Sequence, residues 1–155
     1  MKLWNIVVIG LAIVLAGCAA TEASKERAAM YEFPELEQVN SIDNFRMDGW
    51  EEIDKYSLIV NSRPREIYLL ILNGGNNDLK FAQGLLITST LGKVEVGFDS
   101  VSTRDNPQLK YNIKRMYRIK DKAEKELIKQ QILAFSVDEK KLENKKSEAN
   151  STSGN

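Results

Sequence analysis

The chain has 155 residues, with 22 Lys and Arg against 22 Asp and Glu and a formal net charge of zero. This balance provides no basic field for nucleic acid, so we expect no nucleic-acid partner. The chain has no histidine and one cysteine, which excludes a Cys/His zinc site, a histidine general base and an intrachain disulfide. We therefore expect no metal and no cofactor, and stability must come from an apolar core.

The first 17 residues have the pattern of a signal peptide. Lys2 supplies a short charged region, and the apolar run 6–16 follows it, interrupted only by Gly10. A membrane-spanning helix needs roughly 20 apolar residues, so this run is too short to span a bilayer. Residues 1–17 are therefore predicted to be removed from the mature chain.

The four residues Leu15, Ala16, Gly17 and Cys18 resemble the lipobox of bacterial lipoproteins, in which Leu, a small residue and Gly or Ala precede Cys. The resemblance implies cleavage between Gly17 and Cys18, a diacylglycerol on the Cys18 sulfur and an acyl chain on the new amino group. Several acyl chains anchor a protein stably where one holds weakly. Membrane lipid is thus an expected partner, and no thiol is left for catalysis. An ordinary secretory signal, or an uncleaved anchor with an incidental cysteine, is the alternative.

The residue after the cysteine bears on the membrane that holds the protein. An Asp at that position often retains lipoproteins at the inner membrane, and here the residue is Ala19. The resemblance therefore favours the outer membrane of a Gram-negative cell, facing the periplasm.

The mature chain divides by composition into three parts. Residues 18–40 are predicted to be the lipidated N-terminus and an acidic tether, with a short helix ending at Met30 and an interruption at Pro34. Residues 41–135 are predicted to be one globular domain. Residues 136–155 carry charges of both signs and few apolar groups, so we predict that they are disordered.

The domain is predicted to be α+β, with a small antiparallel sheet of about four to five strands and a C-terminal helix, flanked by flexible ends. Residues 66–72 are apolar on both faces, which indicates a central strand covered on both sides. Residues 85–90 and 93–99 are predicted to form a hairpin around the turn Leu91-Gly92. In its second strand Val94, Val96 and Phe98 are expected to point inward.

Residues 111–119 fit either a strand or a helix. From Lys120 the spacing of Ala123, Leu127, Ile128 and Ile132 indicates a helix that buries all four on one stripe.

A basic run begins at Lys110 and continues through the ambiguous segment into the helix. It could contact anionic lipid, lipopolysaccharide or peptidoglycan. It could equally be a solvated helix face, or be covered by the acidic residues 22–37. The candidate basic surface comprises Lys110, Lys114, Arg115, Arg118 and Lys122.

Asp54 and Asp99 are the carboxylates that could act as acid and base if a cleft paired them. The alternative is that both are turn residues at strand ends. Ser89, Ser100 and Ser102 have no histidine to activate them, so no catalytic residue is assigned.

Short motifs across residues 41–119 resemble a known family. Gly49-Trp50, Asp54, Tyr68-Leu69 and Asp99 are the main ones, together with Leu79, Ala82, Val101 and Ile113. They are similar to the domain-of-unknown-function family 6491, which implies a small envelope protein of Proteobacteria, often with a lipobox. Members often carry cysteines near the positions of Asn77 and Tyr111, and this chain has neither.

These observations predict a lipid-anchored, non-catalytic protein of the cell envelope that acts as an interaction or accessory module for an envelope protein partner. The alternative is a lipoprotein that binds a small molecule or lipid between its sheet and its helix. A third hypothesis is a hydrolase that uses Asp54 and Asp99.

Overall fold

In the computed structural model of this chain the described residues are 27–63 and 65–152, with side chains described as far as Val137. The chain divides into two compact units, Met1–Glu32 and Phe33–Asn155. In the first unit residues 27–30 are helical, and the Glu32 amide donates to the carbonyl of Ala29. The second unit contains the sheet and the C-terminal helix.

The described part of the second unit has nine strands, one 3-10 helix and one long α-helix. In chain order they are β1 Glu37–Val39, β2 Ser41–Ile42, β3 Met47–Asp54, β4 Ser57–Ser62, β5 Ile67–Leu72, the 3-10 helix Asn77–Phe81, β6 Leu85–Ile87, β7 Val94–Glu95, β8 Ser100–Thr103, β9 Tyr111–Ile119 and α1 Lys122–Thr152. The main sheet has the order β3-β4-β5-β9-β8-β6, and β1 also pairs with β9. Strands β2 and β7 form a separate pair, and all pairings are antiparallel.

This architecture confirms the predicted fold class, with more strands than expected. Residues 111–119, whose sequence fits either a strand or a helix, form strand β9, which pairs with β5 along most of its length. Its polar and apolar residues do not alternate strictly, and pairing with strands on both sides overrides the local helical propensity of Lys114 to Met116.

Strand β5 lies near the middle of the sheet and is buried on both faces, as its sequence predicted. On one face, here called the core face, Leu70 and Leu72 pack with Leu58, Val60 and Met116. On the opposite face, here called the helix face, Leu69 and Ile71 are buried beside Ile59 and Tyr117. Both faces of β5 are thus covered by side chains of the chain itself.

The folded domain begins earlier than residue 41. Phe33 is buried and meets the Tyr117 ring edge-on, with 5.6 Å between ring centroids. Leu36 is buried as well, and Glu37 to Val39 pair with Arg118 to Met116. The predicted tether therefore includes a strand of the sheet. Three residues are too few to show an alternating pattern, and Pro34 and the acidic residues concealed it.

The predicted hairpin of residues 85–99 is wrong in its pairing. Strand β6 pairs with β8, and β7 pairs with β2, so only Thr90 and Lys93 face each other directly. The predicted turn at Leu91-Gly92 is present between Thr90 and Lys93. Phe98 is exposed rather than inward, because Gly97 takes a φ of +81° and donates its amide to the carbonyl of Ile113.

Helix α1 packs against β3 and β9. It buries Ile128 and Ile132, whereas Ala123 and Leu127, predicted on the same stripe, are exposed. The buried stripe is therefore rotated by about one residue, toward Lys125 and Phe135. The helix continues to Thr152, beyond the predicted boundary at residue 135. Residues 136–152 contain Lys, Glu, Leu and Ala and no Pro or Gly, and such a composition permits a solvated helix as readily as disorder.

Candidate functional site

The predicted lipidation and cleavage residues, Gly17 and Cys18, lie outside the described residues. The strands of the sheet follow these two residues in the chain and are described. Because β1 and β5 are both antiparallel to β9, they run in the same direction. The chain therefore enters the sheet at the end where β4 passes into β5, here called the entry end.

The structure does not bring the five candidate basic residues onto one surface. Lys110 precedes β9 and Lys122 follows it, so a nine-residue strand of about 30 Å separates them. Arg118 is opposite Tyr68 on the core face, whereas Arg115 is opposite Ile71 on the helix face. The remaining residue, Lys114, is exposed.

Arg118 is bound locally rather than presented to a partner. Its Nη2 donates to the Tyr68 hydroxyl at 3.2 Å, and its Nε lies 3.9 Å from a carboxylate oxygen of Glu37. It thereby links β1, β9 and β5 at the entry end.

Asp99 is a buried hydrogen-bond acceptor that closes a loop. One carboxylate oxygen accepts from the Thr88 hydroxyl at 2.7 Å, and the other accepts from the Glu95 amide at 2.8 Å. The Thr88 hydroxyl in turn accepts from the Ser100 amide at 2.9 Å. This network joins the two ends of the loop 88–99, which gives Asp99 a structural role.

Asp54 has a comparable place in the turn between β3 and β4. One of its oxygens accepts from the Tyr56 amide at 2.9 Å and from the Ser57 hydroxyl at 2.7 Å. Each of the two carboxylates thus serves its own turn, which favours the turn interpretation over an acid–base pair.

Glu51 forms an ion-paired cluster that sequence analysis missed. It lies on the helix face of β3, and its carboxylate pairs with Lys125 at 2.7 Å and with Lys129. These two cations lie one turn apart on α1, and their side chains are about four-fifths buried. Hydrogen bonds from Lys125 and then Lys129 lower the pKa of Glu51, although partial burial opposes them. The i,i+4 lysines were the signal, but their partner on β3 is distant in sequence.

Glu52 is on the opposite face of the same strand and has the opposite electrostatic character. Burial raises its pKa, and repulsion from Asp54 adds to the effect, while Lys80 acts against both. Glu52 is opposite the buried Leu58 in the register, and its own side chain is partly buried there. At neutral pH the negative charge of Glu51 therefore stabilises the fold, whereas the negative charge of Glu52 destabilises it.

The turn between Thr90 and Lys93 places a strained and fully exposed leucine at the surface. The amides of Thr90 and Lys93 each bond to the other residue's carbonyl, at 3.0 and 2.9 Å. Leu91 and Gly92 have φ values of +54° and +75°, as a type I′ turn requires. Asn or Gly is the usual first residue, since a leucine there costs roughly 1–2 kcal/mol. Leu91 is fully exposed, so burial does not offset that cost.

This turn lies at the entry end. The carbonyl of Gly92 accepts from the Phe45 amide at 2.6 Å. Asn44 precedes Phe45 in the chain, and its carbonyl accepts from the Arg63 guanidinium at 3.1 Å. The Arg63 amide donates to the carbonyl of Arg46. The Leu91 turn is thus connected, through the loop before β3, to the turn that joins β4 and β5. Pro64, in that second turn, lies outside the described residues.

No group of three or more carboxylate, cysteine or histidine ligands able to hold a metal ion occurs among residues 27–63 and 65–152. No helix in this part of the chain has the length and apolar character needed to cross a bilayer.

Comparison with known proteins identifies one family. No curated protein and no solved structure matches the chain. Residues 1–135 match the family described as "Family of unknown function (DUF6491)", which is most of the chain and includes every strand of the sheet. The chain therefore belongs to the DUF6491 family.

Proposed function

We propose that this protein is a lipid-anchored, non-catalytic accessory protein of the bacterial cell envelope, facing the periplasm from the outer membrane. The observation that carries the proposal is the sequence Leu15-Ala16-Gly17-Cys18 after a short apolar run. Cys18 is the only cysteine, and it stands where lipid attachment requires one.

The described domain supports a role without catalysis. The two carboxylates considered for acid–base chemistry accept hydrogen bonds from their own turns. The chain also lacks histidine, and its one thiol is the atom to which lipid would be attached. An accessory role, in which the anchored domain contacts another envelope protein, needs only a stable surface held near the membrane.

The test is to express the full chain and Cys18→Ser in a Gram-negative host and compare their processing and fractionation. The wild-type N-terminal peptide should gain the mass of a diacylglycerol and an acyl chain, and the protein should sediment with the outer membrane. Cys18→Ser should lose both properties. A variant that remains processed and membrane-bound without the sulfur would overturn the anchor.

A second substitution tests which membrane holds the protein. Ala19→Asp places an acidic residue directly after the lipidated cysteine and should move the protein to the inner-membrane fraction of a density gradient. Ala19→Ser is the matched control and should stay with the outer membrane. If the wild type already fractionates with the inner membrane, the assignment to the outer membrane is wrong and the anchor itself still stands.

A further inference from the structure

The identity of Leu91 is not explained by the fold. Its backbone is left-handed, with a φ of +54°, and its side chain is fully exposed. An asparagine or glycine would form the same turn with less strain. A leucine that neither fills the core nor suits its turn is the residue most readily explained by contact with another surface.

The position of Leu91 indicates what that surface is. Its turn lies at the entry end, connected to the loop before β3 by the bond from the Phe45 amide to the Gly92 carbonyl. Strand β1 begins at the same end, and the chain before β1 leads back to Cys18. The 14 residues between Cys18 and Phe33 span at most about 50 Å even when fully extended. The anchored domain must therefore stay close to the bilayer.

The side chains around the turn suit a phospholipid headgroup layer. Arg46 and Arg65 are exposed and have no ion pair within the described residues, and Arg63 holds the neighbouring loop through its carbonyls. Exposed Asp43 and Asp48 lie in the same region, so the surface carries both signs of charge. Headgroups such as phosphatidylethanolamine also carry both signs, so such a surface can pair with them while Leu91 enters the apolar boundary.

We propose that the entry end rests on the phospholipid surface and that Leu91 inserts at the boundary between headgroups and acyl chains. This inference rests on the lipid anchor proposed above. The anchor holds the domain near the membrane, and Leu91 determines which end faces it. The opposite end, where Phe81 and Phe98 are also exposed, then faces the periplasm.

The test uses the full lipidated protein in vesicles of phosphatidylethanolamine and phosphatidylglycerol. Because the sulfur of Cys18 is blocked by lipid, Leu91→Cys supplies the only free thiol, and a fluorophore is attached to it. Phe98→Cys is the matched control, since Phe98 is similarly exposed but follows Gly97, whose amide bonds to Ile113 well along β9 from the entry end. Quenching by lipids that carry a spin label near the headgroup is measured for both.

The label at 91 should be quenched about threefold more strongly than the label at 98, since inserted side chains lie roughly 5–10 Å into the headgroup boundary. A label at Thr90→Cys should be strongly quenched as well, and should lose that excess when Leu91→Asn is added. Equal quenching at 91 and 98, or no effect of Leu91→Asn, in a lipidated protein overturns this inference and leaves the anchor in place. A chain that carries no lipid by mass spectrometry overturns both.

Discussion

Glu51 and Glu52 are adjacent on β3, and their substitutions should have different consequences for stability. Glu51→Gln removes the charge that pairs with Lys125 and Lys129, whereas Glu52→Gln removes a charge that burial disfavours. Both changes preserve the size and shape of the side chain. The pair is therefore its own control for any general effect of a glutamine on this strand.

The magnitude for Glu51→Gln follows from the exposure of the cluster. The Glu51 side chain is 38% exposed, so solvent screens its two ion pairs, and each is worth about 0.2–1 kcal/mol. We expect a loss of about 1 kcal/mol at neutral pH. With a urea slope of about 1–3 kcal/mol per M, that loss lowers the unfolding midpoint by about 0.5 M. Glu52→Gln should leave the midpoint unchanged or raise it slightly.

The pH dependence has opposite signs for the two residues. The pKa of Glu51 is lower in the folded chain than in the unfolded one, so its contribution is present above the unfolded pKa and is lost as pH falls through the folded value. The pKa of Glu52 is raised on folding, so its favourable contribution is present below the unfolded pKa and is lost as pH rises through the folded value. Both variants should therefore approach the wild type in acid.

The assay is urea unfolding of the mature chain with Cys18→Ser, followed by Trp50 fluorescence from neutral pH into acid. The reasoning is refuted if Glu51→Gln leaves the neutral midpoint unchanged, or if Glu52→Gln lowers it as much. A difference between Glu51→Gln and wild type that persists unchanged in acid would show that packing, rather than charge, is responsible.

Three further substitutions can be measured in the same way. Ile132→Ala should destabilise the fold by about 2–5 kcal/mol because it opens a cavity under α1. Leu133 is the exposed neighbour, and Leu133→Ala should cost less than about 0.5 kcal/mol. Equal effects would mean that α1 is not packed as described. Asp99→Asn should cost about 1–3 kcal/mol, since an amide cannot accept both bonds, with the exposed Asp105→Asn near neutral as its control. Leu91→Asn should stabilise by about 1 kcal/mol by relieving the left-handed backbone, and a destabilised variant would show that Leu91 makes a contact within the fold.

Sequence patterns were sufficient where an element is long or its turn chemistry is distinctive. The apolar residues of β5 predicted a central strand, and Leu91-Gly92 predicted a tight turn. Pattern failed where elements are short. Strands of two or three residues, such as β1 and β7, show no period, and proximity in sequence wrongly assigned β7 to β6.

The candidate site was predictable only in part, for a related reason. The basic residues from Lys110 to Lys122 are close together in sequence, but a strand distributes its side chains over two faces, and Arg115 and Arg118 are on opposite ones. The partner of Lys125 and Lys129 is on β3, more than 70 positions away, so no local pattern could reveal it. The exposure of Leu91 also depends on tertiary structure, because a single leucine in a turn reads equally well as a core residue.

The pairing of β1 with β9 has a mechanical consequence. A chain held by its N-terminal segment transmits any pull on the domain to β1 first. Ladder bonds are perpendicular to their strands, so a pull along β1 loads the three register positions with β9 together, in shear. A pull between the start of β1 and the end of β9, which are neighbours, would load them one after another, as in a zipper. Strand β1 therefore resists tension along its own axis and yields to tension across it.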